Sequence, residues 1–392
     1  EHDAAAGLGG GQDGVEHRAE QLVDVVVARH LIGEAGQRRQ QARLARHRAG
    51  QAVGAALADV EAQADGTDVE QIAGLQQLAL GAPAVDADPL AADRLDGDAL
   101  AARGEDAQGG AARPMGQLAA ALESLDRNAI ASAVVSVSSP GVWFGDAKEA
   151  ARVARAWNEY AAEQMAKYPG RFGLFATLPL PDIEGSLREI DYAYGTLKAE
   201  GIGLMTSYND KWLGDAAFAP VWEELNRRRA VIYTHPLSPD CCGGLGNLNY
   251  GVGPGVIEWA TDTTRTATSL LFSGTAAKYP NIRWILSHGG GTLPFLLSRL
   301  VREEATGKNI NQRLPRGLMY EIRKFYYDTA QANTPGPLAA LLEMVPTSQV
   351  LYGSDYPYRT FDELNAGLGS YRGFTSTDLR AIERDNTLRL FE

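Results

Sequence analysis

Two histidines and one aspartate stand directly after three apolar runs in this chain. Val231-Ile232-Tyr233-Thr234 leads into His235-Pro236, Ile285-Leu286-Ser287 into His288 and three glycines, and Val350-Leu351-Tyr352-Gly353-Ser354 into Asp355-Tyr356-Pro357. Taken singly, each histidine also reads as a hydrogen-bonded structural residue and Asp355 as the cap of a turn. Taken together, two imidazoles and a carboxylate at successive strand ends are what a mononuclear divalent-metal site requires. Nitrogen and oxygen donors of this kind suit Zn²⁺ or Mn²⁺, with a coordination position left for a water whose pKa the metal lowers.

The elements that must position these residues follow from hydrophobic periodicity. Apolar runs at Ile130–Val137, Phe172–Leu178, Gly203–Thr206, Ala230–Thr234, Ile282–Ser287, Lys324–Asp328 and Gln349–Gly353 read as buried strands, each followed by a turn and a helical stretch. Asp146 and Asp182 read as N-caps. The first helix would bury Val153, Trp157, Tyr160 and Met165 and stop at Pro169-Gly170, and the second Leu187, Ile190, Tyr194 and Leu197. Such alternation predicts an α/β protein, a (β/α)₈ TIM barrel with its first strand missing or atypical, and an open doubly wound sheet as runner-up. The barrel is favoured because its active sites form at the carboxyl ends of the strands, where His235, His288 and Asp355 fall. Thr292 is placed to cap the helix after the glycine turn.

Composition divides the chain at about residue 117. Residues 1–116 hold no Phe, Trp, Tyr, Lys, Ser, Asn or Cys, so all 31 aromatics lie beyond them. With 10 Arg against 19 Asp plus Glu, the segment carries −9 of the net −12. A stretch so poor in large side chains builds at most a weak core. It reads as a weakly folded extension or as GC-rich DNA translated in the wrong frame, and 117–392 as the catalytic domain. The acidic balance argues against nucleic acid, which demands a basic stripe. No apolar run approaches the length of a membrane helix and no leader is evident, so the expected compartment is the cytoplasm. Gly289-Gly290-Gly291 lacks the lysine of a phosphate loop. Adjacent Cys241-Cys242 read as a loop at the site mouth or, less simply, as soft metal ligands; Asp328 reads as a cap or a carboxylate behind the site.

Several pieces resemble the amidohydrolase-related family of metal-dependent decarboxylases, which includes aminocarboxymuconate-semialdehyde, 6-methylsalicylate and γ-resorcylate decarboxylases. They are Tyr168 to Asp182, Tyr233-Thr-His-Pro236, Ser287-His-Gly-Gly290 with Pro294, Phe295 and Arg299, Tyr352-Gly-Ser-Asp-Tyr-Pro357, and Asn386 to Phe391. The resemblance implies that His235 and Asp355 ligate the metal, that His288 is catalytic, activating a water or moving a proton, and that Arg299 reaches a substrate carboxylate across a homodimer. It implies non-oxidative decarboxylation of a small aromatic or unsaturated carboxylic acid. A hydrolase of lactones, esters or amides, and an inactive barrel, are the alternatives. One departure stands out. The family opens on a strand with His-x-His or Glu-x-His, and nothing in residues 1–116 has that form: His2, His17, His30 and His47 are isolated, and only Leu22–Ala28 before Arg29-His30 suggests a strand delivering a histidine.

Overall fold

A computed structural model describes residues 23–28, 114–239 and 253–392, all within one compact unit. In chain order the principal elements are β1 Val23–Ala28, α1 Pro114–Arg127, β2 Ser132–Val137, α2 Ala147–Lys167, β3 Phe172–Thr177, α3 Ile183–Tyr192 and β4 Gly201–Met205. A hairpin of β5 Ser207–Tyr208 and β6 Lys211–Trp212 follows, then α4 Ala219–Arg227, β7 Val231–His235, α5 Glu258–Phe272, β8 Arg283–Leu286 and α6 Leu293–Thr306. The chain closes with β9 Tyr326–Asp328, α7 Pro335–Met344, β10 Val350–Leu351, β11 Gly353–Tyr356, α8 Phe361–Ser370 and α9 Asn386–Phe391.

Strands β2, β3, β4, β7, β8, β9 and β10 pair in that order and all in parallel. Their near-continuous apolar content is what a sheet covered on both faces demands. Tyr352 alone separates β10 from β11, and β1 bridges β11 to β2, so the sheet returns on itself as the expected barrel. The first strand is thus present and atypical in one respect: β1 runs antiparallel to both neighbours, with Val23 opposite Val137 and Ala28 opposite Ser132. The chain therefore leaves β1 beside the start of β2, at the rim opposite the strands' carboxyl ends. His2, His17, His30, His47 and the Cys241-Cys242 pair lie outside the described residues.

Alternate strand residues fill the barrel. Val134, Phe175, Val231, Tyr233, Ile285 and Leu351 form one inner cluster with Leu390 of α9. Phe175 stacks on Tyr233 with ring centroids 5.7 Å apart and meets Phe391 at 6.1 Å. The opposite strand faces pack outward on the helices, where Trp157, Trp222 and Trp284 are fully buried and Trp222 meets Trp284 edge-on at 5.3 Å. Each such indole removes about 200 Å² from water, roughly 5 kcal/mol at 25 cal per Å².

The helix signals act as read. Asp146 Oδ1 accepts from the N–H of Glu149 at 2.7 Å and Asp182 Oδ1 from that of Gly185 at 3.0 Å. Of the faces assigned to these helices, Val153, Trp157 and Ile190 are fully buried, while Tyr160, Met165, Leu187, Tyr194 and Leu197 are half-buried. Thr292 differs from expectation: it precedes α6, but its hydroxyl pairs with Thr264 Oγ1 at 2.9 Å instead of capping the helix. No helix among the described residues is long and apolar enough to cross a membrane.

Candidate metal centre

His235 ends β7. Val231 and Tyr233 face the barrel interior, and the two-residue period of a strand brings His235 to the same face at the mouth. Its Nδ1 lies 2.7 Å from the carbonyl oxygen of Pro236. A carbonyl only accepts, so Nδ1 carries the proton and Nε2 the lone pair that a cation needs. The ring is 1% exposed and stands edge-on to Trp259 at 6.0 Å and to His288 at 5.8 Å. Burial, with the neighbouring His288, lowers its pKa to about 4, which keeps the imidazole neutral at pH 7.

His288 follows β8 in a left-handed conformation, φ +56°, unusual for a residue with a side chain. Its N–H donates to Asp328 Oδ1 at 2.8 Å, across from the end of β9. Asp328 thus acts behind the site and as a cap, since the same oxygen accepts from the N–H of Ala330 at 3.1 Å. Burial raises the Asp328 pKa to about 6 against the pull of His288. The glycines continue the tight path: a Cβ on Gly291, φ +66°, would stand 1.9 Å from the carbonyl oxygen of Ala260.

Asp355 lies on β11. Leu351 faces the barrel interior, and the two-residue period continues through Gly353 to Asp355. A Cβ on Gly353 would fall 2.6 Å from that of Asp328, so the bare glycine lets the two strand ends approach. Asp355 also has positive φ, +59°. Its Oδ2 accepts from Gln331 Nε2 and lies 3.7 Å from His288 Nε2, beyond hydrogen-bond reach. Its Oδ1 is buried and accepts no hydrogen bond among the described residues. Burial pushes this carboxyl up, but His288, His235 and the Gln331 amide together outweigh it and hold the pKa below the usual carboxylate value.

His235, His288 and Asp355, from strands more than fifty residues apart in sequence, therefore meet: one ligand atom of each lies within 4.8 Å of the others, and all three are buried. A neutral imidazole and an ionised carboxylate with one buried oxygen that accepts no hydrogen bond among the described residues offer donors that fit a divalent cation, and a second imidazole stands beside them. Behind it, Asp262 on α5 accepts from Thr206 Oγ1 and, at 2.8 Å, from Trp212 Nε1. This ties the end of β4 to the helix that carries Trp259. Gln331 and Asp262 escaped the sequence reading because neither sits at a strand end nor in a recognisable spacing. Arg299 stands apart, exposed on α6, and among the described residues it forms no ion pair with Glu303.

Comparison with known proteins agrees with this architecture. The chain is 36% identical to the decarboxylase macB of Penicillium terrestre over 273 residues, covering 66% of this chain and 80% of that protein. It is also 36% identical to the 6-methylsalicylic acid decarboxylase of Penicillium expansum over 239 residues, 60% of this chain and 73% of the other. Its fold is similar to the crystal structure of 2,6-dihydroxybenzoate decarboxylase in complex with 2,6-dihydroxybenzoate, with TM-score 0.63, 25% identity, and 69% and 86% of the two chains covered. The family profile described as Amidohydrolase matches residues 85–392, and with the barrel and the strand-end donors in place, the chain belongs to the amidohydrolase family.

Proposed function

We propose that this chain is a metal-dependent, non-oxidative decarboxylase of a small aromatic carboxylic acid, with residues 117–392 supplying the site residues and every barrel strand except β1. The carrying observation is the buried His235, His288 and Asp355 group at the carboxyl-end rim of the barrel. Two relatives named as decarboxylases, one of 6-methylsalicylic acid, support the reaction and the substrate class. We assign His235 and Asp355 as ligands of Zn²⁺ or Mn²⁺. When bound, such a cation supplies positive charge to substrate oxygens and holds them in place.

His288 is the residue assigned to proton transfer. In the reaction a proton is added at the ring carbon bearing the carboxylate, the bond from that carbon to the carboxylate breaks, its electron pair returns to the ring, and CO₂ leaves. Asp328, by fixing the backbone of His288, fixes where the imidazole presents that proton. His235 and Asp355 are buried, and Trp259 stands edge-on to the His235 ring. Arg299, exposed and without an ion-pair partner among the described residues, is suited to hold a planar carboxylate in the site of a neighbouring subunit. A cytoplasmic homodimer is the form in which we expect the enzyme to work.

The test is CO₂ release from a panel of hydroxybenzoates, run beside a lactone and ester panel on the same metal-loaded protein. Turnover of a hydroxybenzoate with stoichiometric CO₂ is expected. Hydrolysis of the second panel without CO₂ release from the first reassigns the chain to the hydrolases.

A further inference from the structure

We infer that Gln331 is a positioning residue that occupies Oδ2 of Asp355 and leaves Oδ1 for a divalent cation. This rests on the proposed reading of Asp355 as a ligand.

The amide can be oriented without ambiguity. Arg359 Nε lies 3.2 Å from Gln331 Oε1, and a guanidinium only donates, so the amide oxygen must face Arg359. The NH₂ group then faces Asp355, where Nε2 donates to Oδ2. The other oxygen, Oδ1, is buried and accepts nothing among the described residues. One carboxylate oxygen is thus committed to the protein and the other is not. That asymmetry favours a single oxygen on the ion.

The backbone is shaped to deliver this contact. Gln331 has φ +55°, a left-handed conformation that a side-chain-bearing residue adopts only where its surroundings enforce it. The surroundings are in place. Thr329 N–H donates to the carbonyl oxygen of Leu351 at 3.0 Å, Gly353 N–H donates to Thr329 Oγ1 at 3.2 Å, and Ala332 N–H closes on the carbonyl oxygen of Thr329 at 3.1 Å. A Cβ on Gly289 would lie 2.8 Å from that of Ala332, so the turn also seats directly against the glycines after His288. One five-residue turn, Asp328 to Ala332, therefore sets His288 through Asp328 and Asp355 through Gln331.

The experiment titrates metal-stripped full-length protein with Zn²⁺ and with Mn²⁺ by calorimetry, and records the electron paramagnetic resonance of bound Mn²⁺ and the melting temperature. Gln331→Met, close in shape but without a donor, is expected to weaken both metals by about 10- to 100-fold, as loss of a partner behind a ligand does. The Mn²⁺ spectrum should change as Asp355 rotates, and the melting temperature should not. Arg359→Ala, which removes only the anchor of the amide oxygen, should weaken binding less. Wild-type affinity and spectrum in Gln331→Met overturn this inference alone. Stoichiometric metal in Asp355→Ala, or none in the wild type, overturns the reading of the site, and the role of Gln331 falls with it.

Discussion

Asp328 Oδ1 holds the backbone N–H of His288 at 2.8 Å, forty residues away in sequence and deep in the protein. The bond fixes the left-handed residue that presents the imidazole, and the same oxygen caps Ala330. Asp328→Ala leaves two buried N–H groups without an acceptor, each costing about 1–3 kcal/mol. We expect a fall in unfolding free energy of roughly 2–6 kcal/mol by denaturant titration, with Asp328→Asn losing less because it keeps an accepting oxygen. Equal stability of Asp328→Ala and wild type would show that the bond is not what holds the turn.

His235→Ala and Asp355→Ala should each remove the bound metal and abolish turnover, measured by metal analysis of the purified variants. Because burial holds His235 near pH 4, uptake should persist as the pH falls through 6.5, where an exposed imidazole titrates, and decline only toward 4. A binding midpoint near 6.5 contradicts the buried, neutral state of this ring.

His288→Ala should keep the metal and lose about 10²- to 10⁴-fold in kcat, the usual cost of a positioned acid or base. Metal analysis and steady-state kinetics on the same preparation separate the roles. Loss of metal in this variant makes His288 a third ligand.

Acid stability should expose two opposing groups in the metal-stripped protein. The His235 pKa falls from 6.5 unfolded to about 4 folded, so between those values the unfolded chain binds the proton first and stability drops on acidification, by roughly 3 kcal/mol in full. The Asp328 pKa rises from 3.8 to about 6, so the folded chain binds that proton first and gains stability over nearly the same range. The two offset each other in the wild type. Asp328→Asn removes the compensating group, and urea unfolding at pH 7, 6 and 5 should show a steeper loss than in wild type. Parallel curves refute the offset.

Arg299→Ala and His288→Ala proteins, each inactive alone, should recover activity when mixed and allowed to exchange subunits, because a mixed dimer can assemble one complete site. Lack of recovery despite demonstrated exchange confines Arg299 to its own chain's surface.

Seven of the barrel strands, and the residues at their carboxyl ends, are legible in the amino-acid order alone. Apolar runs between polar turns mark a strand buried on both faces, and Pro236 after His235 or the glycines after His288 mark where such a run must stop. The two-residue period even orients the side chains, since His235 follows Tyr233 and Asp355 follows Leu351 on the inner face. The rest depends on which distant segments meet in the folded chain. The direction of β1 depends on its partners Ser132–Val137 and Gly353–Tyr356, which periodicity cannot reveal because an alternating or apolar run reads the same in both directions. Gln331 acquires its task from a turn folded against β11, and Asp328 from facing the N–H of His288; in the chain both are ordinary polar residues after a strand. The depressed pKa of His235 is likewise a property of the dry interior around it, since desolvation acts through neighbours that the barrel gathers from distant parts of the chain.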